Sequence, residues 1–144
     1  MKALVTGATS GFGAAIARKL VARGHQVIIT GRRAERLQAL CDELGDACLP
    51  LAFDISDEAA TLAALKSLPA AWQDIDLLVN NAGLALGADP FPNCNLADWK
   101  QMIATNIGGL VTVTYAVLGG MVARNRGHII NLGSTAGTYQ YAGG

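Results

Sequence analysis

The first strand and the turn after it decide the fold: Lys2-Ala-Leu-Val-Thr-Gly-Ala-Thr-Ser-Gly-Phe-Gly13. The apolar run Ala3-Leu4-Val5 is typical of a buried parallel strand, and helical spacing of apolar residues begins after the last glycine. A helix N-terminus presents unpaired N–H groups and a positive dipole end, and glycines let the backbone approach a pyrophosphate. The stretch therefore predicts a phosphate-binding turn, although a glycine-rich strand–turn–helix connection without a ligand has the same pattern.

Length and composition set the class of protein. The chain has 144 residues, 51% of them hydrophobic and 15% charged, which predicts one domain, or a large piece of one, with a substantial core. Lys+Arg and Asp+Glu both number 11, so the zero net charge gives no reason to expect a nucleic acid or a membrane as partner. No apolar run approaches the ~18 residues of a membrane span, and no signal peptide precedes the first strand.

The cysteines and histidines give no sign of a metal site. Cys41, Cys48 and Cys94 are odd in number and lack Cys-x-x-Cys or Cys/His spacing, which predicts free thiols in a reducing compartment. No cluster of histidine and carboxylate residues indicates a metal, so we expect none. The predicted free thiols, with no signal peptide and no membrane span expected, predict a cytoplasmic protein.

Strand and helix patterns alternate along the chain, which predicts an α/β fold of the Rossmann type. Five strands alternating with helices indicate a doubly wound parallel sheet with both faces covered. Right-handed crossovers favour the strand order 3-2-1-4-5, with the ligand crevice at the switch between strands 1 and 4. The predicted strands are 3–5, 26–30, 48–53, 76–80 and 128–132, and the predicted helices are 11–23, 34–44, 56–68 and 95–124.

Two glycine pairs fall inside the last predicted helix, Gly108-Gly109 and Gly119-Gly120. Glycine in a helix interior costs up to ~1 kcal/mol relative to alanine. The pairs therefore predict close packing of this helix against neighbouring backbone.

The end of the second strand, Gly31-Arg32-Arg33, predicts which dinucleotide binds. An NAD site usually places an acidic residue there to accept hydrogen bonds from the ribose 2′-hydroxyl, whereas guanidinium groups match a phosphate in charge and geometry. We therefore predict NADP rather than NAD. The alternative is that the two arginines form a solvated helix start, a position that disfavours cations.

Polar residues also follow the third and fourth strands. Asp54 fits either a hydrogen bond from an adenine amino group or an Asx turn after the strand. Asn80 and Asn81 emerge from an apolar strand, and for Asn80 we predict structural hydrogen bonds across the sheet. Gly83 allows the backbone to approach a ligand.

Two further polar residues are candidates for chemistry. Ser134 follows the fifth strand, and its hydroxyl is able to donate to and accept from a reacting oxygen, although a plain loop serine has the same pattern. Asn106 interrupts an apolar helix face, for which a tie between helix and strand is the favoured interpretation.

Together these motifs resemble the short-chain dehydrogenase/reductase family, in the branch that uses Ser-Tyr-Lys chemistry. The matching pieces are Thr6–Gly13, Asp54, Asn80–Gly83, Asn106 and Ser134, in the family's order and spacing. The segments 82–87 and 128–137 are similar to the NADP-dependent 3-hydroxy acid dehydrogenases that act on serine and allo-threonine.

The resemblance implies an NADP-binding domain over 1–144 and an oxidoreductase that transfers a hydride between NADP(H) and a small 3-hydroxy acid. Ser134 would bind and polarise the substrate oxygen, Asn106 would hold a water of the proton relay, and Arg32, Arg33 and Ser10 would hold the 2′-phosphate. A homotetramer built partly on the helix 97–124 is implied as well. The implied coenzyme-binding residues are Gly7, Thr9, Ser10, Gly11, Phe12, Gly13, Arg32, Arg33, Asp54, Ile55, Asn81, Ala82 and Gly83.

The chain departs from the family at its C-terminal end. The family's catalytic base is a tyrosine in Tyr-x-x-x-Lys, roughly a dozen residues beyond the serine, whose pKa the lysine lowers. Tyr139 and Tyr141 are too close to Ser134, and neither is followed by a lysine at the required spacing. We therefore expect the N-terminal part of a longer enzyme, close to inactive alone. The alternatives are a dinucleotide-binding module without catalysis and a reductase of another carbonyl substrate.

Overall fold

The computed structural model describes residues 1–87 and 89–139, and these form one parallel sheet with helices on both faces. Strands and helices alternate as predicted, and each connection between consecutive strands contains at least one helix. The strands are β1 (Lys2–Val5), β2 (Gln26–Gly31), β3 (Cys48–Ala52), β4 (Leu77–Asn80) and β5 (His128–Asn131), and the helices are α1 (Gly11–Val21), α2 (Ala34–Leu44), α3 (Glu58–Lys66), α4 (Leu96–Ile103) and α5 (Leu110–Ala123).

The strand order is β3-β2-β1-β4-β5, which confirms the predicted topology. All four strand pairs are parallel, and β1 lies at the centre with Leu4 beside Ile28 of β2 and Leu78 of β4. Alternate residues of each strand point to opposite faces, so the sheet has two cores. Val5 and its neighbours pack under α1 and α2, whereas Leu4 and its neighbours pack under α3 and α5.

The predicted helix 95–124 is continuous but not regular. Asn95 caps it by accepting a hydrogen bond from the Ala97 N–H at 3.0 Å. Between α4 and α5 the backbone forms a π-helical segment, Ala104–Gly109, which inserts extra width into the helix. Such segments are rare and occur often at functional sites. No periodicity of apolar residues distinguishes a π-helical turn from an α-helical one, so this segment was not predictable from the sequence.

The glycine pairs of this helix have different surroundings. A Cβ at Gly109 would lie 2.7 Å from Ile55 Cγ1 and 2.8 Å from the Ile55 carbonyl oxygen, so close backbone packing is confirmed there. At Gly119 no atom of the described chain lies within 4 Å of the Cβ position, and at Gly120 the nearest atom belongs to the Arg124 side chain. For the second pair the prediction is therefore wrong, because it faces outward.

Two of the cysteines are not free thiols, which corrects the sequence prediction. Cys41 near the end of α2 and Cys48 at the start of β3 are joined in a disulfide, with their Cα atoms 5.1 Å apart. The short 3₁₀ turn Gly45–Ala47 reverses the chain between them and brings the two positions within disulfide reach. Cys94 is a free thiol.

Although the sequence has no unbroken apolar run of that length, one helix is long and apolar enough to cross a membrane, by length and composition alone. The continuous helix Leu96–Ala123 is 28 residues long and has a mean hydropathy of 1.5 over its most apolar window. Glycines and threonines interrupt its apolar residues, and for this reason no unbroken apolar run is visible in the sequence. Only 22% of that window is buried in the fold.

Candidate functional site

A cleft of about 360 Å³ opens at the carboxyl ends of β1, β2, β3 and β4. This is the edge where doubly wound sheets bind ligands, because the connections diverge from the switch point between β1 and β4. Of the thirteen predicted coenzyme-binding residues, all but Gly11 and Gly13 line it. The lining residues are Gly7, Thr9, Ser10, Phe12, Thr30, Gly31, Arg32, Arg33, Phe53, Asp54, Ile55, Asn81, Ala82, Gly83, Leu84 and Thr105.

The N-terminus of α1 faces this cleft and is open to an anion. Among the described residues, no side chain caps the helix: the Ser10 hydroxyl makes no cap hydrogen bond, and the first turn holds no acidic residue. The first N–H groups and the positive dipole end therefore remain available. Phe12 in the first turn is 79% exposed, so its side chain does not fill the cleft beside the helix N-terminus.

The glycines keep the turn thin enough for another backbone to lie against it. Gly7 has φ +68° and its Cβ position is only 2.7 Å from Ala82 Cα. Gly13 lies below the cleft, where a Cβ would be 2.5 Å from both Asn81 Nδ2 and the Gly7 carbonyl oxygen. The glycine turn and the 81–83 segment after β4 therefore pack directly against each other, and side chains at either glycine would separate them.

Thr6 and Asn81 hold these two segments together by four hydrogen bonds. Thr6 Oγ1 accepts from the backbone N–H groups of Asn81 at 3.0 Å and Ala82 at 2.9 Å. The Asn81 side-chain amide donates to the carbonyl oxygens of Thr6 at 2.8 Å and Gly7 at 3.1 Å. The coenzyme role predicted for the Asn81 backbone stays a prediction, and the Asn81 side chain braces the glycine turn.

The arginines after β2 lie on the wall of the cleft. Arg33 Nη2 donates to Thr9 Oγ1 at 2.6 Å and to Ser10 Oγ at 3.5 Å, so this guanidinium lies across the glycine turn. Arg32 Nη1 lies 3.9 Å from Asp54 Oδ2; the Arg32 side chain is largely exposed, whereas that of Asp54 is partly buried. Two guanidinium groups therefore border the cleft beside the end of β2, where the sequence analysis predicted a 2′-phosphate.

Asp54 forms the Asx turn that the sequence allowed. Its Oδ1 accepts from the Ser56 N–H at 3.0 Å and from the Ser56 hydroxyl at 2.7 Å, while Oδ2 faces Arg32. Burial raises the pKa of Asp54, but the hydrogen bonds from Ser56 and the charge of Arg32 outweigh burial and hold it below its ordinary value. The ionised carboxylate thus still presents Oδ2 to the cleft.

Asn80 and Asn106 are structural ties. Asn80, 4% exposed, donates through Nδ2 to Asn131 Oδ1 at 2.9 Å and to Thr114 Oγ1 at 3.0 Å, which confirms the predicted cross-sheet bonds. Asn106 lies in the π-helical segment, where its amide accepts from the Leu84 N–H at 2.9 Å and donates to the Leu84 carbonyl at 2.8 Å. The widened turn thereby fixes the loop after β4.

Ser134 lies on the surface after β5 and is not brought into the cleft lining. Its Oγ accepts from the Ala136 N–H at 3.1 Å, in the short turn Thr135–Gly137. Tyr139 is 71% exposed, and Tyr141 lies outside the described residues. Neither of the two predicted catalytic residues, Ser134 and Asn106, is among the residues that line the cleft.

Several residues that line the cleft were not among the predicted coenzyme-binding residues. Thr30, Phe53 and Thr105 line it without a motif of their own, because threonine and phenylalanine at strand ends and in a helix are ordinary core residues. Gly31 could have been predicted to line the cleft, because it lies at the end of β2 directly before the two arginines.

Comparison with known proteins matches this geometry to one family. The family model described as "short chain dehydrogenase" matches residues 1–144. A probable NADP-dependent dehydrogenase of Haemophilus influenzae is 64% identical over 141 residues, which are 98% of this chain and 56% of that protein. An NADP-dependent 3-hydroxy acid dehydrogenase of Salmonella typhi is 60% identical over all 144 residues and 58% of its own length.

The solved structures agree with these matches. A serine dehydrogenase complexed with NADP⁺, in its closed form, superposes with a TM-score of 0.97 at 58% identity, over 99% of this chain and 58% of that one. The chain belongs to the short-chain dehydrogenase family. It spans a little under three fifths of the length of the curated relatives it matches.

Proposed function

We propose that this chain forms the coenzyme-binding part of an NADP-dependent oxidoreductase that acts on a small 3-hydroxy acid such as serine or allo-threonine. The observation that carries the proposal is the pair of guanidinium groups on the cleft wall, Arg32 and Arg33, directly after the end of β2, where an NAD site has an acid. The substrate class is supported by the names of the relatives at 60% and 58% identity.

The residues of the cleft fit the parts of this coenzyme. The thin glycine turn and the uncapped α1 N-terminus suit a pyrophosphate, and Arg33, held across the turn by Thr9, suits a 2′-phosphate. Asp54 Oδ2 is an acceptor for an adenine amino group. When bound, the nicotinamide supplies or accepts the hydride.

The chemistry of the substrate side falls to Ser134 in this proposal. Because its Oγ already accepts the Ala136 N–H, the hydroxyl proton is directed elsewhere and is able to donate to a substrate oxygen. A polarised carbonyl carbon is a better hydride acceptor, and the same hydrogen bond orients a substrate alcohol. Asn106 would act by holding the loop at Leu84 in place beside the cleft.

The coenzyme assignment is tested by binding of NADP and NAD to the full-length protein. Arg32→Ala and Arg33→Ala should each weaken NADP binding about 10–100-fold, the loss of one charge-assisted phosphate contact, and change the Kd of NAD less than about 3-fold. Arg23→Ala, an exposed arginine beyond the far end of α1, is the matched control and should change neither Kd. Equal losses for both coenzymes would contradict the assignment.

The substrate class is tested separately by turnover of the full-length protein with NADP. Serine, allo-threonine and a 3-hydroxy acid without an amino group form the substrate panel, and the increase in NADPH is measured. Ser134→Ala should lower kcat by at least about 100-fold without changing the Kd of NADP. Rapid reduction of a sugar or an acyl thioester with no turnover of hydroxy acids would favour the other reductase.

An assembly of four copies accounts for the exposed face of the long helix. Ile103, Ile107, Val111, Tyr115 and Val122 are each more than half exposed and recur at helical spacing, so they form one apolar stripe. A stripe of this length on a soluble protein marks an interface. The occupant in this proposal is the same stripe of a second copy, because a two-fold axis makes one apolar surface complementary to itself.

Light scattering of the full-length protein measures this directly. The double variant Val111→Lys, Tyr115→Lys should reduce the mass from that of a tetramer to that of a smaller species, whereas Arg23→Glu should leave it unchanged. A monomeric wild-type protein that binds neutral lipid vesicles through this stripe would refute the assembly and point to a membrane instead. The cytoplasmic location stays a prediction.

A further inference from the structure

Gly31 ends β2, at the strand end where an acidic side chain would select NAD. A neighbouring side chain leaves no room for a Cβ at this position. The φ of Gly31 is not in the left-handed region, so other residues are able to adopt the same backbone. A Cβ there would lie 2.6 Å from Thr9 Cγ2, well inside the ~3.5–4.0 Å of a favourable carbon–carbon contact. The next atoms, Leu37 Cδ2 and Thr9 Cβ, are both 3.8 Å away. The obstacle is therefore one methyl group.

Arg33 holds that methyl group over Gly31. The methyl and the hydroxyl of Thr9 share one Cβ, so a rotation that clears the methyl also moves the hydroxyl. That hydroxyl accepts the 2.6 Å hydrogen bond from Arg33 Nη2. Threonine is stiff at χ1, and the bond selects one of its few rotamers. The arginine on the cleft wall thereby fixes the obstacle at the end of β2.

We infer that Thr9 is a specificity-determining residue: its methyl group excludes a side chain at position 31, and with it the acid that usually selects NAD. The coenzyme part of this inference rests on the proposed function, whereas the steric part depends on no ligand. The glycine turn itself then selects against NAD, because Arg33 has two roles. It is placed to bind the 2′-phosphate of NADP, and it holds the Thr9 methyl group that excludes a side chain at position 31. Thr9 acts through Gly31 and does not need to touch the coenzyme to do so.

The steric part is tested by thermal unfolding of the full-length protein without coenzyme. Thr9→Ser removes only the methyl group and keeps the hydroxyl for Arg33, so it is the matched background. Gly31→Ala should lower Tm by roughly 5 °C when Thr9 is present, and by less than about 2 °C in the Thr9→Ser background. Equal decreases in both backgrounds would overturn the inference, because the methyl group would then not be the obstacle.

The coenzyme part is tested with Gly31→Asp in the same two backgrounds. With Thr9→Ser, the ratio of the NADP Kd to the NAD Kd should rise at least about 10-fold, because the carboxylate accepts the 2′-hydroxyl of NAD and repels a 2′-phosphate. With Thr9 present, Gly31→Asp should weaken both coenzymes and leave NAD without this gain. A gain for NAD of equal size in both backgrounds would overturn the inference.

The two failures are distinguishable. A wild-type protein that binds NAD as tightly as NADP would refute the proposed coenzyme, and the coupling between positions 9 and 31 in Tm would still stand. A wild-type protein that prefers NADP but shows no coupling in Tm would refute the role of Thr9 alone.

Discussion

Thr6 offers the sharpest test of how the phosphate-binding turn is built. It is 1% exposed, and its hydroxyl is the acceptor for two consecutive backbone N–H groups of the segment after β4, those of Asn81 and Ala82. The hydroxyl also donates to the Val79 carbonyl at 3.4 Å. Thr6→Val keeps the shape of the side chain and removes all three of these interactions, so it isolates the hydrogen bonds from the packing.

The expected loss follows from the two short bonds. Each contributes about 1 kcal/mol net, so Thr6→Val should lower the free energy of unfolding by about 2 kcal/mol, with little from the weak 3.4 Å contact. Thr6→Ser keeps the hydroxyl and removes one buried methyl group, at a cost of about 0.8 kcal/mol. Because the loop that Thr6 anchors lines the cleft, the Kd of NADP should rise for Thr6→Val and stay near wild type for Thr6→Ser.

Denaturant unfolding of the full-length protein, followed by circular dichroism, measures both free energies. The pair of variants separates the explanations, since loss of packing would make the serine variant the worse of the two. A Thr6→Val variant within about 0.5 kcal/mol of wild type, or no less stable than Thr6→Ser, would refute the bracing role of the hydroxyl.

Two further perturbations concern the support of the site. Gly109→Ala should cost about 1–3 kcal/mol in unfolding free energy, because its Cβ would lie 2.8 Å from the Ile55 carbonyl oxygen, and unchanged stability would contradict this contact. Burial raises the pKa of Asp76, but hydrogen bonds from the Lys2 N–H and the Arg126 guanidinium hold it below its ordinary value. The stability advantage of wild type over Asp76→Asn should therefore be complete above pH about 4 and decline as the pH falls below it; a constant difference down to pH 2 would refute it.

The order of the strands was predictable from the sequence because it depends on few choices. Buried parallel strands read as continuous apolar runs, and the handedness of crossovers leaves a small set of topologies. The carboxyl ends of those strands then had to meet at one edge, so Arg32, Arg33 and Asp54 were expected together, and the structure brings them to one cleft. The predicted helix boundaries were less accurate. For example, α1 ends at Val21 rather than at position 23, because the last residues of a helix depend on local hydrogen bonds that apolar periodicity does not show.

The details of the site were not predictable, because they depend on contacts between segments that are distant in sequence. The brace from Thr6 to Asn81 spans 75 residues, and the tie from Asn106 to Leu84 spans 22. The disulfide was missed for a related reason: only the turn between α2 and β3 brings Cys41 within reach of Cys48. Residue types alone carry no information on which atoms face each other across the sheet edge.

The glycines of the cleft illustrate this limit, because two of them are glycine for different physical reasons that the sequence does not distinguish. Gly7 has φ +68° and its Cβ position is 2.7 Å from Ala82 Cα, so backbone geometry and a neighbouring backbone both exclude a side chain. Gly31 has no positive φ, and among the described residues the close neighbour of its Cβ position is a side-chain methyl group, that of Thr9, at 2.6 Å. We therefore expect that a change at position 9 rescues a substitution at Gly31, and that no change of one side chain rescues a substitution at Gly7. On the inference made above, coenzyme choice depends on the side-chain contact at Gly31, which substitution is able to change, whereas the shape of the glycine turn depends on backbone contacts at Gly7, which it is not able to change.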